Sequence, residues 1–119
     1  MSGVKYLLGT NIIIGMYQQN KEILRLLQLK KLVIGDCAYR SITRIELLSF
    51  PAITEVEKIA IESLLIRMTR LNISSEIEDE TIAFRHLYKT KLPDSIIVAT
   101  AIFHGLELLT LDKKLANKF

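Results

Sequence analysis

Apolar and polar residues follow one another along the chain in blocks that predict strands and helices in turn. The predicted strands are short apolar runs at residues 4–8, 32–34, 71–74 and 106–111. The stretches around them have the apolar spacing of helices, over residues 11–17, 21–31, 41–50, 54–67, 76–88 and 93–105. Strands that alternate with helices predict an α/β fold, with a central parallel sheet and helices on both faces.

Two of the predicted helices carry clear end signals. Thr54 and Glu57 form a capping-box pattern at the start of one of them. Pro93 opens another at a position that tolerates proline, and Gly105 ends it as a C-terminal glycine. The segment between them, PDSIIVATAIFHG, is apolar nearly all round, so we expect a buried helix.

Length and composition indicate one globular domain over residues 1–119. The chain is 50% hydrophobic and 24% charged, which suits a packed core. Its apolar runs are well short of the roughly twenty residues of a membrane span, so no membrane partner is expected. No export signal is recognised at the N-terminus. Cys37 is the single cysteine, which argues against a disulfide framework and favours a reducing, cytoplasmic setting.

The net charge of +3 is unevenly distributed. Residues 1–31 carry +4, residues 32–84 carry −4 and residues 85–119 carry +3. Basic ends of this kind can attract a polyanion such as nucleic acid. Solvated Lys and Arg on helix faces explain the same pattern, so charge alone does not decide between the two.

Candidate chemistry lies where predicted strands end, because ligands of open parallel sheets collect beyond the carboxyl ends of the strands. The residues expected near that edge are Gly9, Thr10 and Asn11 after the first strand, Glu46 in SITRIELLSF, Asp94 in KLPDSIIVATA, and Thr110 and Asp112 after the fourth strand. If the three acids converge, their repulsion requires a cation, and hard oxygen ligands suit Mg²⁺ or Mn²⁺. Carboxylates that hold such ions are the usual apparatus for cutting phosphodiesters.

Each acid also has a purely structural interpretation. Asp112 is an ordinary N-cap for a last helical turn. Asp94 lies in the first turn of a helix, where the helix dipole favours an acid. Glu46 lies among apolar residues and requires a partner, which Arg44 or Arg85 could supply as an ion pair.

Three segments, KYLLGTNIII, SITRIELLSFP and KLPDSIIVATAIFHGLELLTLDKKL, resemble in order and spacing those of a PIN domain. The resemblance is closest to the VapC-type toxins of bacterial toxin–antitoxin pairs and covers essentially the whole chain. It implies a PIN-like central parallel sheet of four or five strands and a Mg²⁺- or Mn²⁺-dependent endoribonuclease that acts on RNA. It also implies a homodimer and a cognate VapB-like antitoxin that silences the toxin.

The resemblance further implies a site of four acidic positions. Three of them fall on Glu46, Asp94 and Asp112, as catalytic and metal-binding residues, with Thr10, Asn11 and Thr110 as nearby polar support. The fourth falls on position 9, where the family pattern Asp-Thr-Asn is replaced by Gly-Thr-Asn. Arg85 is expected to contact RNA or to pair with a site acid.

Gly9 is the departure that bears most on function, because glycine has no side chain with which to bind a metal ion. Loss of a ligand weakens metal binding and misplaces the attacking water, so we expect greatly reduced or no nuclease activity. Gly9 is either an inactivating replacement of an aspartate, which the match elsewhere favours, or the natural residue. The alternative function is a catalytically dead module that binds antitoxin or RNA. A small nucleotide-binding domain would need a glycine-rich loop that the sequence lacks.

The end of the chain is a second departure from the family. The family often continues after the last helix into a final edge strand, whereas this sequence stops at Phe119. We therefore expect that the fifth strand is absent.

Overall fold

The computed structural model describes residues 3–112 as an α/β domain. The elements are β1 (Tyr6–Leu8), α1 (Thr10–Tyr17), α2 (Lys21–Leu29), β2 (Cys37–Arg40), α3 (Ser41–Leu48), α4 (Glu55–Leu65), β3 (Thr69–Leu71), α5 (Ser75–Tyr88), α6 (Leu92–His104) and β4 (Glu107–Leu109). A short 3₁₀ turn at Ile34–Asp36 precedes β2. No helix within the described range is long and apolar enough to span a membrane.

The four strands form one parallel sheet in the order β3-β2-β1-β4. Tyr6 in β1 is paired with Cys37 in β2 on one side and with Glu107 in β4 on the other, so β1 is central. The chain builds β1, β2 and β3 in one direction and then crosses to the far side of β1, which places a topological switch point between β1 and β4. The predicted four-stranded parallel sheet is confirmed. A fifth strand and the helical turn predicted after Asp112 fall outside the described residues.

Helices cover both faces of the sheet, and alternate strand residues supply the two cores. Leu8 belongs to a core that includes residues of α1, α2 and α4, whereas Leu7 belongs to a second core with residues of α5 and α6. Successive strand side chains point to opposite faces, which is why adjacent leucines serve different cores. Both leucines are fully buried. The predicted arrangement of helices on both faces is confirmed.

Two strand positions predicted from sequence are wrong. The second strand is Cys37–Arg40 rather than residues 32–34, and the third is Thr69–Leu71 rather than residues 71–74. Residues 37–40 are buried throughout, as the central region of a parallel sheet requires, whereas Val33 is exposed. Residues 37–40 form the strand because they pair with the neighbouring strands β1 and β3. The more apolar residues 32–34 lie at the margin of the core.

The local end signals are confirmed. The side chain of Thr54 accepts a hydrogen bond from the Glu57 N–H, and the Glu57 carboxylate accepts one from the Thr54 N–H. Gly105 adopts the left-handed conformation, with φ +65°, directly after α6. Residues 97–101 of α6 are buried, but Ile102 and Phe103 near its end are substantially exposed. The helix is therefore buried through its middle rather than all round.

Candidate functional site

A cavity of about 220 Å³ lies at the carboxyl ends of β1 and β4, where the strand order reverses. Its lining residues are Gly9, Thr10, Asn11, Ile12, Arg40, Glu46, Pro93, Asp94, Ile97, Thr110 and Asp112. The structure therefore brings together all three predicted acids, the glycine and the three polar supporting residues. They come from four separate segments of the chain.

Gly9 follows β1 directly and lines the cavity. It is buried, and its N–H donates a hydrogen bond of 2.9 Å to the carbonyl of Leu109, which extends the pairing of β1 with β4. Its φ of −69° and ψ of 158° are extended values that any residue adopts. A Cβ atom there would lie 3.3 Å from the Leu109 carbonyl oxygen and 3.7 Å from the Thr110 hydroxyl oxygen. The backbone therefore does not require glycine at this position.

Glu46 is held at the cavity by the start of α1. The hydroxyl of Thr10 donates a hydrogen bond of 2.8 Å to Glu46 Oε1 and lies 3.2 Å from the hydroxyl of Thr43. Thr10 is the first residue of α1, whereas Thr43 and Glu46 belong to α3. The side chain of Glu46 remains 48% exposed, so its carboxylate can be reached from the cavity.

The other two acids are positioned by backbone geometry. Asp94 is half-buried in the first turn of α6, where the N-terminal end of the helix dipole favours a negative charge. Asp112 follows β4, and its N–H donates a hydrogen bond of 3.1 Å to the hydroxyl oxygen of Thr110. This turn keeps Asp112 at the edge of the cavity.

Arg40 is a cation among these acids. It ends β2, and only 8% of its side chain is exposed. Its Nη2 atom lies 3.7 Å from Glu46 Oε1, and its Nη1 donates a hydrogen bond of 3.4 Å to the carbonyl of Pro93. Burial lowers the pKa of the guanidinium, while the carboxylates of Glu46 and Asp94 oppose that shift. An arginine stays charged at neutral pH, so the cavity contains a permanent positive charge.

The ion pairs considered from sequence for Glu46 are wrong. Arg44 pairs with Glu62, with Nη2 3.3 Å from Oε1. Arg85 Nε donates a hydrogen bond to the Thr90 carbonyl and lines a different pocket. The cation beside Glu46 is instead the arginine that ends β2. A contact between Arg85 and RNA stays a prediction.

Arg40 is the cavity residue that sequence reasoning missed. The rule that selects the carboxyl ends of strands would have found it, because it is the last residue of β2. The hydrophobic pattern predicts the second strand at residues 32–34, and that position puts Arg40 in a connection rather than at the end of a strand. A correct strand position would have added a cation to the predicted site.

The side chains that line the cavity are of the chemical type that binds a hard divalent cation. Within the described part of the chain, the ionisable groups that line the cavity are three carboxylates and one guanidinium, with no thiol or imidazole. Gly9 leaves one part of the lining without a side-chain donor. Among residues 3–112, no group of three or more acidic, histidine or cysteine side chains lies close enough to hold one metal ion. The chemistry of the donors therefore suits Mg²⁺ or Mn²⁺, but their present arrangement is looser than a metal cage.

Comparison with known proteins points to one family. The family model of the PIN domain matches residues 6–118. Comparison with curated protein sequences gave no significant match.

Solved structures show the same fold. A toxin–antitoxin complex from Klebsiella pneumoniae contains a chain that is 33% identical, with a TM-score of 0.79, and the match covers 92% of this chain and 88% of that one. VapBC2 from Rickettsia felis, bound to a promoter DNA fragment, is 21% identical with a TM-score of 0.78, covering 96% and 92%. FitAcB from Neisseria gonorrhoeae is 21% identical with a TM-score of 0.76, covering 94% and 91%.

Proposed function

Because the chain belongs to the PIN domain family, whose members are generally nucleases that use divalent metals, we propose that it is a VapC-type toxin with a metal-dependent endoribonuclease site. With glycine at position 9 the chain is expected to have greatly reduced or no nuclease activity, because Gly9 supplies no carboxylate. The convergence of Glu46, Asp94 and Asp112 on the cavity at the switch point carries this proposal. The similarity to a chain of the Klebsiella toxin–antitoxin complex supports the toxin assignment.

In this proposal the carboxylates of Glu46, Asp94 and Asp112 would hold Mg²⁺ or Mn²⁺, for which they would have to draw closer together than they are among the described residues. The chemistry that a bound divalent ion supplies is neutralisation of phosphodiester charge and activation of water. The chain's own residues orient the acids: Thr10 fixes one carboxylate oxygen of Glu46, and Thr110 fixes the backbone of Asp112. Asn11 adds a neutral oxygen donor at the rim of the cavity. No side chain is assigned as a covalent nucleophile.

The proposed partners are RNA as substrate, a VapB-like antitoxin and a second copy of the chain in a homodimer. The basic segments at residues 1–31 and 85–119, with Arg85, are the proposed RNA contacts. The antitoxin is supported by the complexes among the similar structures. A cytoplasmic location is proposed because Cys37 is a free cysteine and forms no disulfide. Its thiol is buried, and desolvation, followed by the nearby charge of Asp36, raises its pKa to about 11.

Restoring the missing acid tests the proposal directly. The variant Gly9→Asp should cut single-stranded RNA in the presence of Mg²⁺ or Mn²⁺, and EDTA should stop the reaction. We expect cleavage at least about 100-fold faster than that of the unchanged chain, since a misplaced reacting group costs about that much. Gly9→Asn is the matched control, because it adds a side chain of the same size without charge and should stay near background.

A growth assay gives a second measurement of the same proposal. Expression of Gly9→Asp should arrest growth, and co-expression of a cognate antitoxin should relieve the arrest. A folded Gly9→Asp variant that neither cuts RNA nor slows growth would contradict the nuclease assignment. The alternative, a catalytically dead module, would then be favoured, and it predicts antitoxin or RNA binding by both forms without cleavage.

A further inference from the structure

Arg40 is too deeply placed to be an ordinary surface cation. Its side chain is more than nine-tenths buried, and its charged end lies near the Glu46 carboxylate and the Pro93 carbonyl oxygen. The Nε atom is fully buried and, within the described residues, has no hydrogen-bond partner. A buried guanidinium with an incomplete set of hydrogen bonds is costly unless nearby negative charge compensates for it.

The negative charge that compensates for Arg40 is the same charge that a divalent ion would use. Among the described residues that line the cavity are three carboxylates and one guanidinium, so the net charge is −2. Both Glu46 and Asp94 act on Arg40 electrostatically. A divalent cation that enters the cavity is attracted by these carboxylates and repelled by Arg40.

We propose that Arg40 is a built-in counter-ion that competes with divalent metal for the carboxylates of the cavity and thereby lowers the metal affinity of the site. The inference rests on the proposed function, in which Glu46, Asp94 and Asp112 hold the metal. The inference adds Arg40, which is not one of these acids, as the residue that sets how tightly the three acids bind the metal. The lack of a carboxylate at position 9 and the presence of Arg40 would then both weaken metal binding.

A phosphate-binding role for Arg40 is disfavoured by its surroundings. The groups nearest its two terminal nitrogens are a carboxylate and a carbonyl oxygen, and both would repel an incoming phosphate. The nitrogen that lacks a partner is sealed from solvent. The guanidinium therefore contacts oxygen atoms of the protein itself, the Glu46 carboxylate and the Pro93 carbonyl.

The test is the affinity for Mn²⁺ at neutral pH, measured by calorimetry or by the electron paramagnetic resonance of free Mn²⁺, with Gly9 retained throughout. Arg40→Gln should bind Mn²⁺ about tenfold more tightly than the unchanged chain, since a like charge close to the ion is removed. Arg40→Met keeps the apolar stem, removes the charge and should give a similar gain. Far-UV circular dichroism shows which variants are folded, so either neutral variant suffices.

Two controls separate local repulsion from general charge. Arg44→Gln removes a charge of the same sign four residues later, in α3. Arg44 is exposed and pairs with Glu62. Solvent and salt screen that charge, so we expect a change in Mn²⁺ affinity of less than about twofold. Arg40→Lys preserves a positive charge and should stay within about threefold of the unchanged chain.

Three results would overturn the inference. They are equal or weaker Mn²⁺ binding by both neutral variants, an equal gain in Arg44→Gln, and a loss of RNA binding by Arg40→Gln with unchanged Mn²⁺ affinity. The last result would assign Arg40 to phosphate recognition. The nuclease proposal is judged separately, by cleavage with Gly9→Asp, so either idea can fail alone.

Discussion

Gly9 and Gly15 are only six residues apart, yet they lack a side chain for opposite reasons. Gly15 lies inside α1 against α2, and a Cβ atom there would stand 1.9 Å from Cδ1 and 3.0 Å from Cγ1 of Ile23. A Cβ atom on Gly9 would meet its nearest neighbour at 3.3 Å. Neither residue has the positive φ that favours glycine. Gly15 is therefore required by packing, whereas a Cβ atom on Gly9 would need the Leu109 carbonyl oxygen to shift by only a few tenths of an ångström.

The difference shows how a glycine can be assigned to structure or to function. The glycine of α1 lets two helices approach closely, so the fold selects it. The glycine after β1 lines a cavity that also contains Glu46, Asp94 and Asp112, and a Cβ atom there makes one tight contact, with the Leu109 carbonyl oxygen. Its effect is therefore expected in chemistry rather than in stability, and the following variants test that division.

The largest expected effect is on catalysis. In the Gly9→Asp background, a second change, Asp94→Asn, should reduce RNA cleavage by about 100-fold or more, because it removes one of the proposed metal-binding carboxylates. Asp79→Asn is the matched control, since Asp79 is exposed on α5 and does not line the cavity. Equal cleavage by the two double variants would show that Asp94 is not part of the active site.

An intermediate effect is expected on stability at Gly15. Gly15→Ala should lower the free energy of unfolding by about 1–2 kcal/mol, because overpacking outweighs the gain in helix propensity. Thermal unfolding should then occur several degrees lower. Adding Ile23→Val removes the atom that collides and should recover part of the loss. If Gly15→Ala were as stable as the unchanged chain, the close packing of α1 on α2 would not be the reason for this glycine.

The smallest effect is expected for Gly9→Ala. A methyl group 3.3 Å from the Leu109 carbonyl oxygen requires a shift of a few tenths of an ångström, far less than the collision at Gly15, so the free energy of unfolding should fall by less than about 1 kcal/mol. Urea unfolding of this variant beside Gly15→Ala measures the contrast directly. A loss at position 9 as large as that at position 15 would make Gly9 a structural residue and remove the argument for a vacated acid.

Sequence reasoning succeeded where the signal is local. The capping box of Thr54 and Glu57, and the left-handed Gly105, are set by hydrogen bonds within one turn, so their positions could be predicted. Asp112 follows a strand and Asp94 opens a helix at one edge of the sheet, so both could be anticipated from the predicted elements. The sequence predicts Glu46 in the first turn of its helix, but the residue lies in the second turn of α3, where the hydroxyl of Thr10 holds it at the cavity. The roles of the three acids in metal binding remain predictions.

Sequence reasoning failed where the outcome depends on pairing between distant segments. Ala38 is paired with Leu7 on one side and with Thr69 on the other, and neither contact is visible in the local hydrophobic pattern. Residues 32–34 looked more like a strand because they are more apolar. That single error also concealed Arg40, because a residue can be assigned to a sheet edge only once its strand is known.

The pairing of β1 with β4 sets the order in which the site can form during protein synthesis. Leu8 is in register with Leu109, so the first and last strands of the described sheet are neighbours. Gly9 emerges from the ribosome about a hundred residues before Thr110 and Asp112. A nascent chain therefore cannot assemble the cavity until translation has passed residue 112, so the proposed nuclease chemistry requires the whole span from Gly9 to Asp112.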